Sequence, residues 1–309
     1  MDLTPAALQV YFTGLQTIYQ QGYDSVSAED EWSDKIAMTV PSDTELETYG
    51  WSDLIPKMRE WVGPRVLNNL PLRSRSLTNK DWEETHSIPR NKFLDDKLGL
   101  YSTLAQQMGT NAKLLHTDQL AAKILENPVG FDGVNFFSPS HLTDLDDPGS
   151  ATQSNLLNLA LNATNYATAQ ATMRAFLGRN GRTYKSKGTV LAVPSALEFT
   201  ARTIMNASII APATFQGVTQ VGGFSNVLAG ISEVVVMPEL DAEPTAWYLL
   251  DCRSAVKPFV KQIRQAAQFA ALTNVTDPNV FFNKEFIFGA DARAAYDVTL
   301  WFKALKSVP

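Results

Sequence analysis

The stretch Asn91–Asn127, NKFLDDKLGLYSTLAQQMGTNAKLLHTDQLAAKILEN, decides how the rest of the chain is read. Pro89 bars Ile88 from the helical region, so a helix can begin only beyond it. Asn91 can serve as N-cap, with Asp95 and Asp96 near the positive helix end. Leu94, Leu98, Tyr101, Leu104, Ala105, Met108, Ala112 and Leu115 then keep the three-and-four spacing of one apolar face. The stripe slips in phase around His116–Asp118 before Leu120, Ile124 and Leu125 resume it, which predicts a bend. Asn127-Pro128 ends it, because a residue before Pro is disfavoured from helix. At about 1.5 Å per residue the spacing predicts a rod of roughly 50 Å. Gly99 and Gly109 each cost it about 1 kcal/mol relative to Ala, so it needs tertiary packing to persist. Such a helix is a spine for the fold.

A chain of 309 residues predicts one large domain or two ordinary ones, and its 45% apolar share is ordinary for a globular protein. Asp2 after Met1 predicts no signal peptide, and no window approaches the ~20 apolar residues of a membrane span, so a soluble protein is expected. The single cysteine, Cys252, cannot form an internal disulfide and reads as a small buried hydrophobe rather than a reactive thiol. A net charge of −6 with scattered Lys and Arg argues against a protein that grips nucleic acid. It leaves room for a surface that merely surrounds it.

Ahead of the spine, residues 1–58 carry scattered aromatics, with short helices expected at Pro5–Tyr19 and Glu45–Leu54. This arm lacks the apolar pattern of a self-contained domain and is expected to lie across other surfaces. Residues 59–92 read as extended, ending in a hairpin. With Asn79-Lys80 as a two-residue turn, Leu77 faces Trp82, Arg75 faces Glu84 and Arg73 faces His86. The other face holds Leu72, Ser74 and Ser76 against Glu83, Thr85 and Ser87. Neither face is apolar enough to bury, and an isolated hairpin is marginal in water, so the arm is expected to become ordered on a neighbouring subunit. Arg73, Arg75, Leu77, Trp82, Glu84 and His86 are the candidate inter-subunit contacts. Replacing Trp82 or deleting Leu72–His86 is expected to leave a soluble subunit that fails to assemble.

Behind the spine, Phe131-Asp132-Gly133 and Phe136-Phe137 suggest a short strand before a turn-rich segment, Ser138–Ser150. A helix is expected within Thr152–Leu177, a strand at Lys187–Val193, a helix at Pro194–Asn206 and a tightly turning loop at Gly217–Gly230. Strands follow at Glu233–Met237, Ala246–Asp251, Lys257–Ile263, Glu285–Gly289 and Arg293–Lys303, the last in strict alternation. Helices mixed with antiparallel-looking strands make the fold class α+β.

No active site assembles from the motifs. His86, His116 and His141 stand far apart outside any zinc spacing. Asp144, Asp146 and Asp147 lack the twelfth-position glutamate of a calcium loop and read as a solvated turn. Ser195 has no glycine elbow and reads as a helix start. Gly222-Gly223 alone is no phosphate cradle, and the sequons at Asn162, Asn206 and Asn274 read as chance. No metal or cofactor is expected.

An ordered set of short motifs nonetheless resembles the major head (capsid) proteins of Mu-like tailed bacteriophages. It runs through Lys35-Ile36-Ala37, Val40-Pro41-Ser42, Glu47-Thr48-Tyr49-Gly50-Trp51, Pro56–Arg65 and Asn79-Lys80-Asp81-Trp82-Glu83. Asp95–Tyr101, Met108-Gly109, Phe131-Asp132-Gly133, Phe136-Phe137 and His141 continue it. Lys257-Pro258, Gln262-Ile263-Arg264, Gly289–Arg293 and Trp301 complete it, and the match is weakest over Ser150–Gly230. The resemblance implies a Hong Kong 97-type capsid fold: N-terminal arm 1–58, E-loop 59–92, peripheral domain with spine helix 93–150, axial domain 151–255, and peripheral return strands 256–309. It implies a virion shell protein, assembled in the bacterial host cytoplasm into pentamers and hexamers that enclose double-stranded DNA without sequence-specific binding. A scaffold protein and portal are implied partners, with decoration proteins and a maturation protease as further candidates. Asn79 and Lys80 are treated as structural, and nothing licenses a Lys–Asn cross-link there. The rivals are an encapsulin-like shell around cargo proteins, a hydrolase using Ser195 and His141, and a minor virion or scaffold protein.

Overall fold

The computed structural model describes residues 5–51, 60–62, 73–95, 99–179, 181–210, 214–215, 218–219, 224–274 and 276–309. Within them Gly99, at φ 69°, decides where the long helix begins. That left-handed conformation is open to glycine at little cost and breaks a right-handed run. The rod expected from Asn91 is therefore two helices, Arg90–Leu94 and Leu100–Glu126. Asn91 lies inside the first of these, whose N-cap position is Pro89 with no side-chain cap. Asp96 and Leu98 lie outside the described residues. The far end is as read: Asn127 takes φ 49°, donates its N–H to the Lys123 carbonyl, and Pro128 follows. The 27 residues span about 40 Å.

In chain order, α1 (Pro5–Ser25) and α2 (Ser33–Ile36) precede β1 (Ala37–Pro41) and β2 (Leu46–Trp51). Then β3 (Arg73–Thr78) and β4 (Lys80–Pro89) lead into α3 (Arg90–Leu94) and α4 (Leu100–Glu126). Short strands β5 (His141–Leu142), β6 (Thr152–Gln153) and β7 (Leu156–Leu157) precede α5 (Ala163–Ala175), β8 (Val190–Val193) and α6 (Glu198–Asn206). Four two-residue strands follow: β9 (Ile209–Ile210), β10 (Thr214–Phe215), β11 (Val218–Thr219) and β12 (Phe224–Ser225). The chain closes with β13 (Glu233–Val236), β14 (Trp247–Leu250), β15 (Phe259–Leu272), α7 (Pro278–Asn283), β16 (Glu285–Val298) and β17 (Ala304–Ser307).

Two sheets carry the α+β architecture. One is ordered β1-β15-β16-β4, with β1 parallel to β15 and the other pairs antiparallel. The second, β13-β8-β14-β17-β7, buries every residue of β8, β14 and β17, which is why β8 and β14 read as continuous apolar runs. Several expectations need correction. Within the helix expected at Glu45–Leu54, Leu46–Trp51 is strand β2, because it finds an extended partner in β3, and 52–54 lie outside the described residues. The helix placed within Thr152–Leu177 starts only at Ala163, where the Asn162 side chain accepts from the Asn165 N–H at 2.8 Å. The two strands expected over Glu285–Lys303 are one, β16, ending at Val298; Trp301–Lys303 is a 3-10 turn that carries the chain into the other sheet as β17. Phe131–Phe137 is turn and loop around a single bridge, Val129–Asn135, rather than a strand.

Two hydrophobic cores result. The larger gathers the five-stranded sheet, α5 and α6 around Trp32, Phe136, Trp247, Phe259 and Trp301. The smaller packs Phe12, Leu15 and Tyr19 of α1 with Phe93, Phe286 and Phe288. Helix α4 belongs to both: Ala105 and Met108 lie in the smaller core, Leu120, Ala121 and Ile124 in the larger. The phase slip read at His116–Asp118 is the crossing from one core to the other, where Thr117 is wholly buried and bonds back to the Leu114 carbonyl.

The leading arm also differs from expectation, since its first helix packs on its own chain. A Cβ built on Gly22 would sit 2.0 Å from the Gln106 carbonyl oxygen, and one on Gly109 2.0 Å from that of Tyr19. These glycines let α1 and α4 cross backbone to backbone. Gly109 is therefore a packing requirement and not simply a helix weakness.

Candidate assembly surface

Asn79 is not the tip of a hairpin. The favoured two-residue turns need φ > 0 at their first residue, and among the described non-glycine residues only Asn127, Lys185 and Lys284 take it. Asn79 is instead a buried junction: its Nδ2 donates to Ser42 Oγ and to the Thr44 carbonyl, each at 2.9 Å. Its Oδ1 accepts from Gln262 Nε2 at 2.9 Å, and its N–H donates to the Glu45 carbonyl at 3.0 Å. The strands on either side therefore part company, β3 pairing with β2 and β4 with β16. The expected pairings Leu77–Trp82, Arg75–Glu84 and Arg73–His86 do not occur.

The alternation itself holds. Arg73, Arg75, Leu77, Trp82, Glu84 and His86 are all half-buried, and Ser74, Ser76, Glu83, Thr85 and Ser87 are exposed; Leu72 lies outside the described residues. Each of the six is engaged within its own chain. Arg73 pairs with Asp146 at 2.9 Å. Arg75 grips the Asp297 carboxylate with two nitrogens, one at 2.7 Å, and also donates to the Val129 carbonyl. The Leu77 carbonyl accepts from Gln262 at 3.3 Å. Trp82 donates its indole N–H to the Ala294 carbonyl at 3.1 Å and stands edge-on to Tyr296. Glu84 and His86 meet at 3.0 Å, and Asn111 donates to Glu84 at 3.1 Å.

The β2–β3 ribbon is thus held mainly by polar bonds. The Tyr49 hydroxyl donates to Gln262 Oε1 at 2.6 Å, while Thr48 and Ser76 hydroxyls meet at 3.0 Å on the outer face. The Asp-rich turn is no calcium loop and not merely solvated, because Asp146 is shared by Arg73 and Arg179 and Asp144 also meets Arg179 at 3.3 Å. The acidic run was visible in the sequence; its two arginine partners, remote along the chain, were not.

Behind the ribbon Lys261 is almost fully buried, bonded to Ser33 Oγ and Asp34 Oδ1 at 2.8 Å each. Burial would raise the Asp34 pKa, but the Lys261 hydrogen bond and charge outweigh it and lower it. His141, the family-motif histidine, is wholly buried. Its Nδ1 lies 2.5 Å from Asp132 Oδ2, its Nε2 lies 3.0 Å from Asn155 Oδ1, and its ring stacks on Trp301. Asn155 Nδ2 donates to the Phe136 carbonyl at 2.8 Å, so the trio clamps the segment after α4 to the C-terminal return. With both ring nitrogens engaged, His141 does not serve Ser195, whose N–H bonds Asp241 at 2.7 Å. Cys252 is half-buried, and burial pushes its thiol up to about 12.

Between α4 and the four-stranded sheet lies a groove of about 430 Å³, with Trp82, Ala112, Leu115 and Ala290 beside Glu83, Glu84, Asp118 and Asp291. Among the described residues no cluster of three or more His, Cys, Asp or Glu is placed to hold a metal, and no helix is long and apolar enough to cross a membrane.

Residues 8–160, 157–240 and 236–308 match the family described as Mu-like prophage major head subunit gpT. The chain is 27% identical over 310 residues to the major capsid protein of Escherichia phage Mu, covering 99% of this chain and 74% of that protein. It is 24% identical over 303 residues to the Mu-like prophage FluMu major head subunit of Haemophilus influenzae, covering 97% and 72%. Among solved structures, a chain of the bacteriophage JBD30 procapsid matches with a TM-score of 0.58 at 24% identity, over 99% of this chain and 76% of that one. The fold is that of phage capsid chains, as the Hong Kong 97-type resemblance implied, and with the match extending over nearly its whole length the chain belongs to the Mu-like prophage major head subunit gpT family.

Proposed function

We propose that this chain is the repeating subunit of a Mu-like phage head, tiling with its own copies as pentamers and hexamers into a closed icosahedral shell around double-stranded DNA. The observation that carries this is the family match along nearly the whole chain, joined to the capsid fold. Many symmetric copies of modest contacts would supply the stability. We assign the arm to the residues ahead of β2 and the E-loop to the β2–β3 ribbon, in place of the boundary at 58 expected from the sequence. The peripheral domain then takes α4 and the four-stranded sheet, and the axial domain the segment 151–255. Arg73, Arg75 and Leu77, already engaged at home, would contribute to subunit contact chiefly by fixing the ribbon's direction, and Trp82, Glu84 and His86 by seating β4 on the four-stranded sheet. A scaffold protein and a portal would be its partners, with decoration proteins and a maturation protease as further candidates.

The net charge of −6 supports a container that does not hold its contents tightly, since each neutralised phosphate adds affinity through counterion release. Closed particles containing DNA, seen by negative-stain microscopy when the chain is produced with its scaffold, are the expected result. Subunits that stay monomeric with scaffold present would overturn the reading. Particles filled with protein cargo and free of nucleic acid would favour an encapsulin-like shell.

A further inference from the structure

The end of the long β15–β16 hairpin exposes Phe281 and Phe282 on α7, at 71% and 77%, in edge-on contact with each other. They are not on a loose tip. Val280 is buried in the smaller core, and Asn279 Nδ2 donates across the hairpin to the Leu272 carbonyl at 3.1 Å and the Glu285 carbonyl at 2.8 Å. The helix therefore carries both rings outward on an anchored backbone. Beside the same hairpin end, α1 and β15 form a groove of about 340 Å³ in which Phe12, Phe269 and Ala271 lie among polar side chains such as Gln9, Thr13 and Gln16, and every described side chain lining it is uncharged.

Resting on the shell reading above, we propose that this aromatic knob of one subunit seats in the α1–β15 groove of a second copy of the chain. Three arguments select that occupant. The described lining holds no cation to neutralise a phosphate and no charge that would repel an identical copy. Knob and groove occupy one corner, so rotation about an axis beside that corner brings the knob of each copy to the groove of the next, a heterologous contact that closes into a ring. Finally, two rings offer roughly 300 Å² of apolar surface, well short of the ~800 Å² per partner of a stable complex. The contact is thus too small to hold a free dimer and is filled where many copies close together.

The test places Thr13→Cys and Phe282→Cys together in a full-length Cys252→Ser background, with each single cysteine as control. Mild oxidation of assembled particles should give a ladder of covalent multimers from the double variant and monomers from each single one. Separately, Phe281→Ser with Phe282→Ser should leave the subunit's melting temperature unchanged and lower the yield of closed particles about tenfold or more. Particles of the double-cysteine chain that stay uncross-linked, or that close the bond within one chain, would overturn the contact, as would wild-type yield from the serine variant. Wild-type chain that forms no particles would instead overturn the shell reading beneath it.

Discussion

His116 sits on α4 where the helix leaves one core for the other, with Nδ1 2.8 Å from the Tyr296 hydroxyl. Burial, then the charges of Lys261 and Lys113, lower its pKa to about 4, against a small opposing effect of Asp34. In the unfolded chain it titrates near 6.5, so above that pH the ring is neutral in both states and costs nothing. As pH falls from about 6.5 to about 4, the unfolded chain takes up a proton that the folded chain refuses, and up to about 3 kcal/mol of stability is lost. His116→Gln should lose less stability over that window, read as the difference in urea midpoints at pH 7 and pH 4.5. Gly109 gives a prediction whose sign opposes helix propensity. Gly109→Ala gains about 1 kcal/mol of propensity but drives a methyl into the Tyr19 carbonyl, so a net loss of roughly 1–3 kcal/mol is expected in chemical denaturation. Gly14→Ala, with open space around it in α1, should instead stabilise. Sequence spacing placed Gly109 correctly on a helix. That it faces another backbone depends on α1, which no periodicity within α4 reveals.

Among the elements, the β2–β3 ribbon shows what alternation can and cannot say. The half-buried and exposed faces of 73–87 were legible from period two, because burial of every second residue leaves its mark whatever strand lies alongside. The partners were not legible, because they depend on Asn79, whose buried amide turns one apparent hairpin into two strands of different sheets. One expectation changes with it. Deleting Leu72–His86 removes most of an edge strand of the four-stranded sheet, so an unfolded chain is expected, not a soluble one that merely fails to assemble. The sharper probe is Arg75→Met, which leaves the largely buried Asp297 carboxylate without its cation. A cost of about 3 kcal/mol is expected, with faster amide exchange in β2 and β3. Adding Asp297→Asn should restore part of it, since the pair is coupled.

At the scale of the whole molecule, α4 is embedded in both cores, and this predicts one unfolding event. Trp32, Trp51, Trp247 and Trp301 lie in the larger core and the smaller one holds no tryptophan. Tryptophan fluorescence therefore watches only one of them. Met108→Ala, in the tryptophan-free core, should still shift the fluorescence transition, in step with circular dichroism, by the 2–5 kcal/mol of a large core truncation, roughly. The fold class and the spine were readable because a 27-residue amphipathic helix and continuous apolar strands are local signals. The division into two cores was not, because it is made by strands far apart in sequence that lie side by side only in the folded chain. A stiff member anchored at both ends also behaves as a beam. Outward pressure from tightly packed contents on one half of the subunit would travel lengthwise to the other instead of being absorbed at a joint, so indentation should find shells built from Gly109→Ala chains more compliant than the native ones.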